Sequence, residues 1–379
     1  MDTDEIDDLT GNADIADVEV IYSDGEDEDS EVFDDFAEGQ NQIGTEIIDI
    51  SKFTFARHTK SVFCSALNRT GTWAATGSED DTAYVWDVLS GEVLFECIGH
   101  KDSVTEVCFN HNDQFIATGD MAGLIQVWSC KEKKLLWCFE GDDMEWLMWH
   151  PMANVLFCGC HSGDIYIWQI PSGNCKVLPS PSNVQTTCAK VVPNGKQLLV
   201  GYGDGHIRLW DIKEACALWT NTDSDASVTS LDISPDGVLA VTAPTAQVIK
   251  ILDGRFIGSV MLDGETEIEA ALFNTDLGVI ITGSLSGQLC VWQLGKFTLR
   301  HQARIECAVT VVKPGSGDKV FVGATDGAVY MCDVKAGTLL DVFTGHSAEV
   351  LSISVFPNDN QVLTTSDDGT AKIFKSKSK

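Results

Sequence analysis

Short runs in which apolar and polar residues alternate recur along the chain, each entered through a turn holding Gly or Asp. The clearest are GSEDDTAYVWD (Gly77 to Asp87), AGLIQVW (Ala122 to Trp128), SGDIYIW (Ser162 to Trp168), DGHIRLWD (Asp204 to Asp211), SGQLCVW (Ser286 to Trp292), DGAVYMCD (Asp326 to Asp333) and DDGTAKIF (Asp367 to Phe374). Period-two alternation rich in β-branched and aromatic residues predicts strands, and a tight glycine turn joins two of them antiparallel. The bulky ends of the runs form a ladder at Trp86, Trp128, Trp168, Trp210, Leu252, Trp292, Cys332 and Phe374, with spacings of 42, 40, 42, 42, 40, 40 and 42 residues. A period of about 40 residues marks one supersecondary unit copied along the chain, and strands select propeller blades over helical repeats. The fifth copy, TAQVIKILD (Thr245 to Asp253), is the least regular, lacking both the turn glycine and the tryptophan.

The ladder predicts an all-β fold, an eight-bladed propeller of four-stranded antiparallel sheets. The last repeat stops after its third strand at Phe374, and the β-prone run IIDISKFTF (Ile47 to Phe55) ahead of the first repeat has no other assignment. That run is expected to complete the last blade, which closes the ring and removes the open sheet edges on which other chains could template. The expected organisation is a tail over residues 1–42 and the propeller over residues 43–379.

Charge changes this picture at two levels. The chain carries 25 Lys and Arg against 57 Asp and Glu, a net charge of −32. Seventeen of the carboxylates fall in the first forty residues, which hold no Lys or Arg. Self-repulsion there predicts a disordered acidic tail, whether solubilising or, through apolar residues such as Val20, Ile21, Phe33 and Phe36, able to grip a partner. The remainder, 40 acids against 25 bases, is acidic as well. Phosphate binding needs clustered Lys and Arg, so direct nucleic-acid binding is not expected, and the terminal KSKSK (residues 375–379) reads as a frayed end. MDTDEIDDLT lacks the basic start and apolar stretch of a secretory leader, and no run of eighteen apolar residues exists to span a membrane, so the expected compartment is the cytoplasm, with nuclear passage open. The thirteen cysteines show no metal-ligand or disulfide spacing. Cys64, Cys108, Cys158, Cys290 and Cys332 sit at strand positions, where free thiols are expected to be packed as small apolar groups.

The repeats resemble those of the WD-repeat family, which carry an upstream Gly-His pair and end in Trp-Asp. Gly99-His100 and Gly345-His346 match the pair, His58 matches half of it, and Trp86-Asp87 and Trp210-Asp211 keep the ending. The resemblance covers roughly residues 47 to 379. It implies that the loop entering each inner strand and the turn inside each blade build one face around the channel. Taking Val62, Val104, Met144, Thr186, Val228, Ile268, Cys307 and Val350 as the first buried residue of each inner strand, the neighbours pointing at that face include Asp143, Glu145, Glu267, Glu269, Glu306 and Glu349. The position before the blade-turn aspartate adds Glu79 and Asp367. Of these twenty-four aligned positions eight are acidic and none is Lys or Arg. Such a rim would attract and orient a basic polypeptide, with Phe63 and an exposed Trp146 adding apolar or cation–π contact.

The resemblance further implies a structural hydrogen-bond chain of His58, Ser78, Asp80 and Trp86 in blade 1. Blade 8 would keep it through His346 and Asp368, and blade 2 has Ala122 where the aspartate would stand. These groups are expected to stiffen blades rather than catalyse, because no serine elbow, phosphate-cradling loop or metal spacing accompanies them. The expected protein is therefore a monomer that is no enzyme and holds no cofactor or metal.

A closer likeness lies in the acidic leader SDGEDEDSEVFDD followed by eight repeats beginning RHTKSVFC, which looks like the angio-associated migratory cell protein family. That family includes a fungal chaperone dedicated to one basic large-subunit ribosomal protein. The likeness implies capture of the basic N-terminal segment of that ribosomal protein on the acidic face and delivery to the pre-60S particle. A scaffold or ubiquitin-ligase adaptor in signalling or cell migration, using the same faces, is the alternative.

Overall fold

The structure is a computed structural model that describes residues 48–180, 183–262, 264, 267–274, 277–357 and 361–376. The expected acidic tail and its boundary at residue 42 lie outside the described residues. Those described contain thirty-two strands in eight four-stranded antiparallel sheets and no helix long and apolar enough to cross a membrane. The inner strands are Val62–Leu67, Val104–Phe109, Met144–Trp149, Thr186–Val191, Ser230–Ile233, Ile268–Asn274, Val309–Pro314 and Val350–Val355. Each packs against the inner strand of the next blade, and the eighth packs against the first, so the ring is closed.

Seven blades are built from four consecutive strands; the eighth takes its outer strand, Phe53–Phe55, from the other end of the repeat region. Phe53, Thr54 and Phe55 pair with Ile373, Lys372 and Ala371. Phe55 is buried and stacks on Trp86 of blade 1, with ring centroids 4.7 Å apart and planes 7° apart. One short strand therefore hydrogen-bonds to blade 8 and packs on blade 1.

The ladder residues pack between sheets, since Trp86, Trp128, Trp168, Trp210, Trp292, Cys332 and Phe374 are all buried. The fifth rung is not Leu252, which is exposed, but Ile249, which pairs with Ala240 as Trp86 pairs with Ala74. Nine positions separate Ala240 from Ile249, whereas twelve separate Ala74 from Trp86. The hairpin of blade 5 is shorter, and its extra residues fall later, which kept the sequence spacing even while shifting the rung. Blade 7 is displaced too. Val309, not Cys307, pairs at the start of its inner strand, opposite Ala324, as Val62 pairs with Ser78. Ile305, Cys307 and Val309 alternate equally well, and only the ladder register chooses among them.

The histidine network appears in three blades. His58 Nδ1 lies 3.2 Å from Asp80 and its Nε2 lies 2.9 Å from Thr76 Oγ1; His346 does the same with Asp368 at 2.9 Å and Thr364 at 2.8 Å. Asp80 N–H donates to Ser78 Oγ, which donates to Lys60 O. Trp86 is not in the chain: its Nε1 has no hydrogen-bond partner among the described residues, and Phe55 covers its ring. Blade 2 is complete without an aspartate at Ala122, because Asp120, two residues earlier, reaches His100 Nδ1 at 3.1 Å while Thr118 meets Nε2 at 2.8 Å. Burial lowers the pKa of His58 against the opposing pull of Asp80.

Asp120 is fully buried and also accepts from Lys101 N–H and Leu124 N–H. Burial alone would raise its pKa, but bonds from His100 and these amides hold it below the ordinary carboxylate value of 3.8. Its charge therefore contributes stability above pH 3.8 that is lost as pH falls through the lower folded value. Asp120→Ala strands three donors and is expected to cost about 3 kcal/mol in urea unfolding at pH 7. A cost under about 1 kcal/mol would show that the network is ornamental.

Candidate functional site: an acidic ring face

Antiparallel order within each blade sends the loops entering the inner strands and the turns between second and third strands to the same end of the ring. A repeated backbone bond ties them together. Glu79, Met121, His161, Gly203, Leu285, Thr325 and Asp367 donate their N–H groups to the carbonyls of Ser61, Ser103, Asp143, Gln185, Glu267, Ala308 and Glu349. In seven of the eight blades the residue before the inner strand's first buried position is thus fixed beside the first residue of its blade turn. Glu79, Asp143, Glu267, Glu349 and Asp367 occupy these positions, and Glu145, Glu269 and Phe63 follow the first buried residue of their strands by one, on the same face. Asp143, Glu145, Glu267 and Asp367 are exposed, whereas Glu79, Glu269, Glu349 and Phe63 are half-buried.

Two expected members move. Glu306 lies three residues before Val309, in the entering loop of blade 7, so it is at the same end but not at the aligned rim position. Trp146 is buried, 7% exposed, and its indole lies against Gly159 and Thr186. The ladder shift between Met144 and Trp146 sends this side chain into the core, and it offers no ring to a ligand.

The two ends of the ring differ sharply in charge. Among the described residues, the loops at the acidic end hold sixteen Asp and Glu, including Asp81, Asp102, Asp142, Asp164, Asp204 and Asp326, against Arg57, Lys60 and Lys101. The loops at the opposite end hold seven acids and eight bases. Mean composition cannot produce this split; it follows from which turns carry which residues.

Few of these carboxylates are neutralised. Glu79 has Lys60 at 3.5 Å, an exposed pair that contributes little, and Asp367 accepts from Ser61 Oγ at 2.5 Å. Asp143, Glu267, Glu269 and Glu349 have no ion pair among the described residues. Burial raises the pKa of Glu269, as expected for a carboxylate lacking a compensating cation. His161 Nδ1 lies 2.8 Å from Glu145. That hydrogen bond, with the nearby Asp143 and Asp142 charges, raises the histidine's pKa above 6.5 despite some desolvation.

His161 thus keeps its proton to higher pH than a free histidine. Deprotonation as pH rises makes the face more negative. A proton NMR titration of its ring is expected to show a midpoint above 6.5 that falls toward 6.5 in Glu145→Gln. An unchanged midpoint in that variant would mean that the bond does not form in solution.

Sequence reasoning missed Asp120 and the three threonines. The signal was present, since Thr76, Thr118 and Thr364 each follow their histidine by eighteen residues. None of the thirteen cysteines forms a disulfide, and Cys64, Cys158, Cys290 and Cys332 are buried among apolar groups while Cys108 is half-buried.

Fold and face together define a WD-repeat β-propeller, and the family model of the WD domain, G-beta repeat, matches residues 50–87, 91–129, 174–211 and 337–375. The human angio-associated migratory cell protein is 37% identical over 348 residues, which cover 86% of this chain and 80% of that protein. The chain belongs to the angio-associated migratory cell protein family. It is also similar to the ribosome assembly protein SQT1 of Saccharomyces cerevisiae, 24% identical over 92% of this chain and 91% of that protein. The crystal structure of Chaetomium thermophilum Sqt1 bound to the N-terminus of the ribosomal protein L10 superposes with a TM-score of 0.79. It covers 87% of this chain and 100% of that one at 20% identity, a likeness of fold.

Proposed function

We propose that this protein is a non-catalytic, monomeric chaperone that captures the basic N-terminal segment of a newly made large-subunit ribosomal protein on its acidic face and delivers it to the pre-60S particle. The observation that carries the reading is the charge split between the two ends of the ring, sixteen acids to three bases against seven to eight. An unneutralised anionic rim lowers the free energy of an approaching polycation and orients it before contact, while repelling RNA phosphates that would compete for the same segment. The solved complex of the structurally similar Sqt1 with the N-terminus of ribosomal protein L10 supplies the partner class. Its working place is the cytoplasm, where ribosomal proteins are made, with passage to the nucleus. No nucleic acid, membrane or cofactor takes part in this binding.

The test is co-purification from cell extract with wild-type and Glu267→Lys/Asp367→Lys baits. Recovery of the L10-type ribosomal protein by the wild type alone supports the reading. Absence of that protein from both, or equal recovery by both, refutes it.

A further inference from the structure

The channel at the ring's axis carries charge of its own. Glu106 follows the first buried residue of blade 2's inner strand by two positions, at the ladder shift where it pairs with Gly119. Lys190, Asp232 and Lys313 stand four positions past the corresponding residues of blades 4, 5 and 7. Glu106 and Lys313 feel each other electrostatically although blades 2 and 7 are not neighbours, and so does Lys313 with Lys190 and Asp232. Such pairs can meet only across the axis. Lys190 Nζ lies 3.4 Å from Asp232, which leaves Lys313 the cation without an ion pair in this group. Glu106 has no ion pair among the described residues either, and the Cys64 and Cys108 thiols are the other titratable groups facing it.

These positions form layers along the channel. Glu145 and Glu269 stand one residue past the first buried position, Glu106 two, and both lysines four. At about 3.3 Å per strand residue, the lysine layer lies roughly 7 Å deeper than Glu106. A cation entering from the acidic face meets Glu145, Glu269 and Glu106 first, and the deepest layer holds Lys313 beside the Lys190–Asp232 pair.

We propose that the channel is a socket for one cationic group of the bound segment, a Lys or Arg side chain or a free α-amino group. Glu106 receives it, and Lys313, whose charge Asp232 does not pair, stops deeper entry. The inference rests on the acidic-face reading and adds a depth limit to it: a single cation is selected for axial insertion while the others stay on the rim. Burial raises the pKa of Glu106 to about 7, against the smaller opposing effect of Lys313. Insertion of a cation favours the ionised carboxylate, so binding at pH 7 should release roughly half a proton per peptide.

The probe is a synthetic peptide with the N-terminal sequence of Chaetomium thermophilum ribosomal protein L10. Calorimetry in buffers of different ionisation enthalpy measures both affinity and proton release, with the full chain as wild type, Glu106→Gln, Lys313→Met and Glu267→Lys/Asp367→Lys. Glu106→Gln is expected to weaken binding about tenfold and abolish the proton release, and Lys313→Met to tighten binding severalfold by removing a like charge. N-terminal acetylation and single Lys or Arg→Ala changes in the peptide then identify the inserted group. One of them should lose its effect on Glu106→Gln, because both changes remove the same contact. Loss of binding by the rim reversal with Glu106→Gln and Lys313→Met unchanged would overturn the socket and leave the face intact. Indifference of all three variants would overturn both. Glu106→Gln should also melt higher than wild type at pH 8 but not at pH 5, which establishes that it is folded.

Discussion

Reversing Glu267 and Asp367 to lysine is expected to weaken binding of a basic ribosomal N-terminal peptide by about a hundredfold at low salt while leaving the melting temperature within a few degrees. Both side chains are exposed at the rim and neither packs into the core. The double variant changes the face by four charge units. Two unit charges about 6 Å apart in water interact by roughly 0.7 kcal/mol, so four units approach 3 kcal/mol, or two decades of affinity. Screening should shrink the difference, since the Debye length falls from about 10 Å at 0.1 M salt to about 3 Å at 1 M. Fluorescence anisotropy over a salt series measures both. A scaffold that docks its partner through apolar hot spots would tolerate the reversals and show a flat salt response, and that result would remove the chaperone reading.

The second large effect concerns closure. A chain beginning at Ala56 is expected to lose roughly 10 °C in melting temperature or fail to fold, whereas one beginning at Asn41 should match the full chain. The difference lies in what residues 48–55 hold. Lys372, buried at 6% exposure, donates to Asp49 at 2.5 Å and to Thr54 at 3.0 Å, and truncation removes both acceptors together with the strand that covers the ammonium. Asp49 is itself 43% exposed, so this pair contributes only modestly, and the larger loss is the packing of Phe55. Trp86 also loses the ring stacked on it, and Phe55→Ala alone should cost about 3–5 kcal/mol. The bond from Lys372, opposing desolvation, lowers the Asp49 pKa to about 2. Its contribution is therefore present above pH 3.8 and lost as pH falls toward 2, so the gap between the two truncations should narrow in acid. Equal melting temperatures at pH 7 would show that the ring does not depend on this strand.

The Glu106 socket and the rim are separable because they respond to different variables. Rim attraction depends on salt and on several charges at once, whereas axial insertion depends on one carboxylate and is accompanied by proton release near neutral pH.

Much of this protein was legible in its residues. Alternating runs, glycine turns and a 40-residue period are local properties, and a repeat places equivalent residues in equivalent positions, so the eight blades and most of the acidic rim follow without coordinates. The histidine–aspartate pairs of blades 1 and 8 were legible for the same reason. Tertiary structure alone decided the rest. Strand register is set by ladder pairing and by burial on both sheet faces, which moved the fifth rung to Ile249 and blade 7's start to Val309, and took Glu306 out of the aligned rim. The ladder shift at Trp146 turned an expected surface aromatic into core. Asp120 could replace the missing turn aspartate because a side chain reaches across space, not along a spacing. Glu106, Lys190, Asp232 and Lys313 come from four separate blades, and only closure of the ring brings their charges to a common axis.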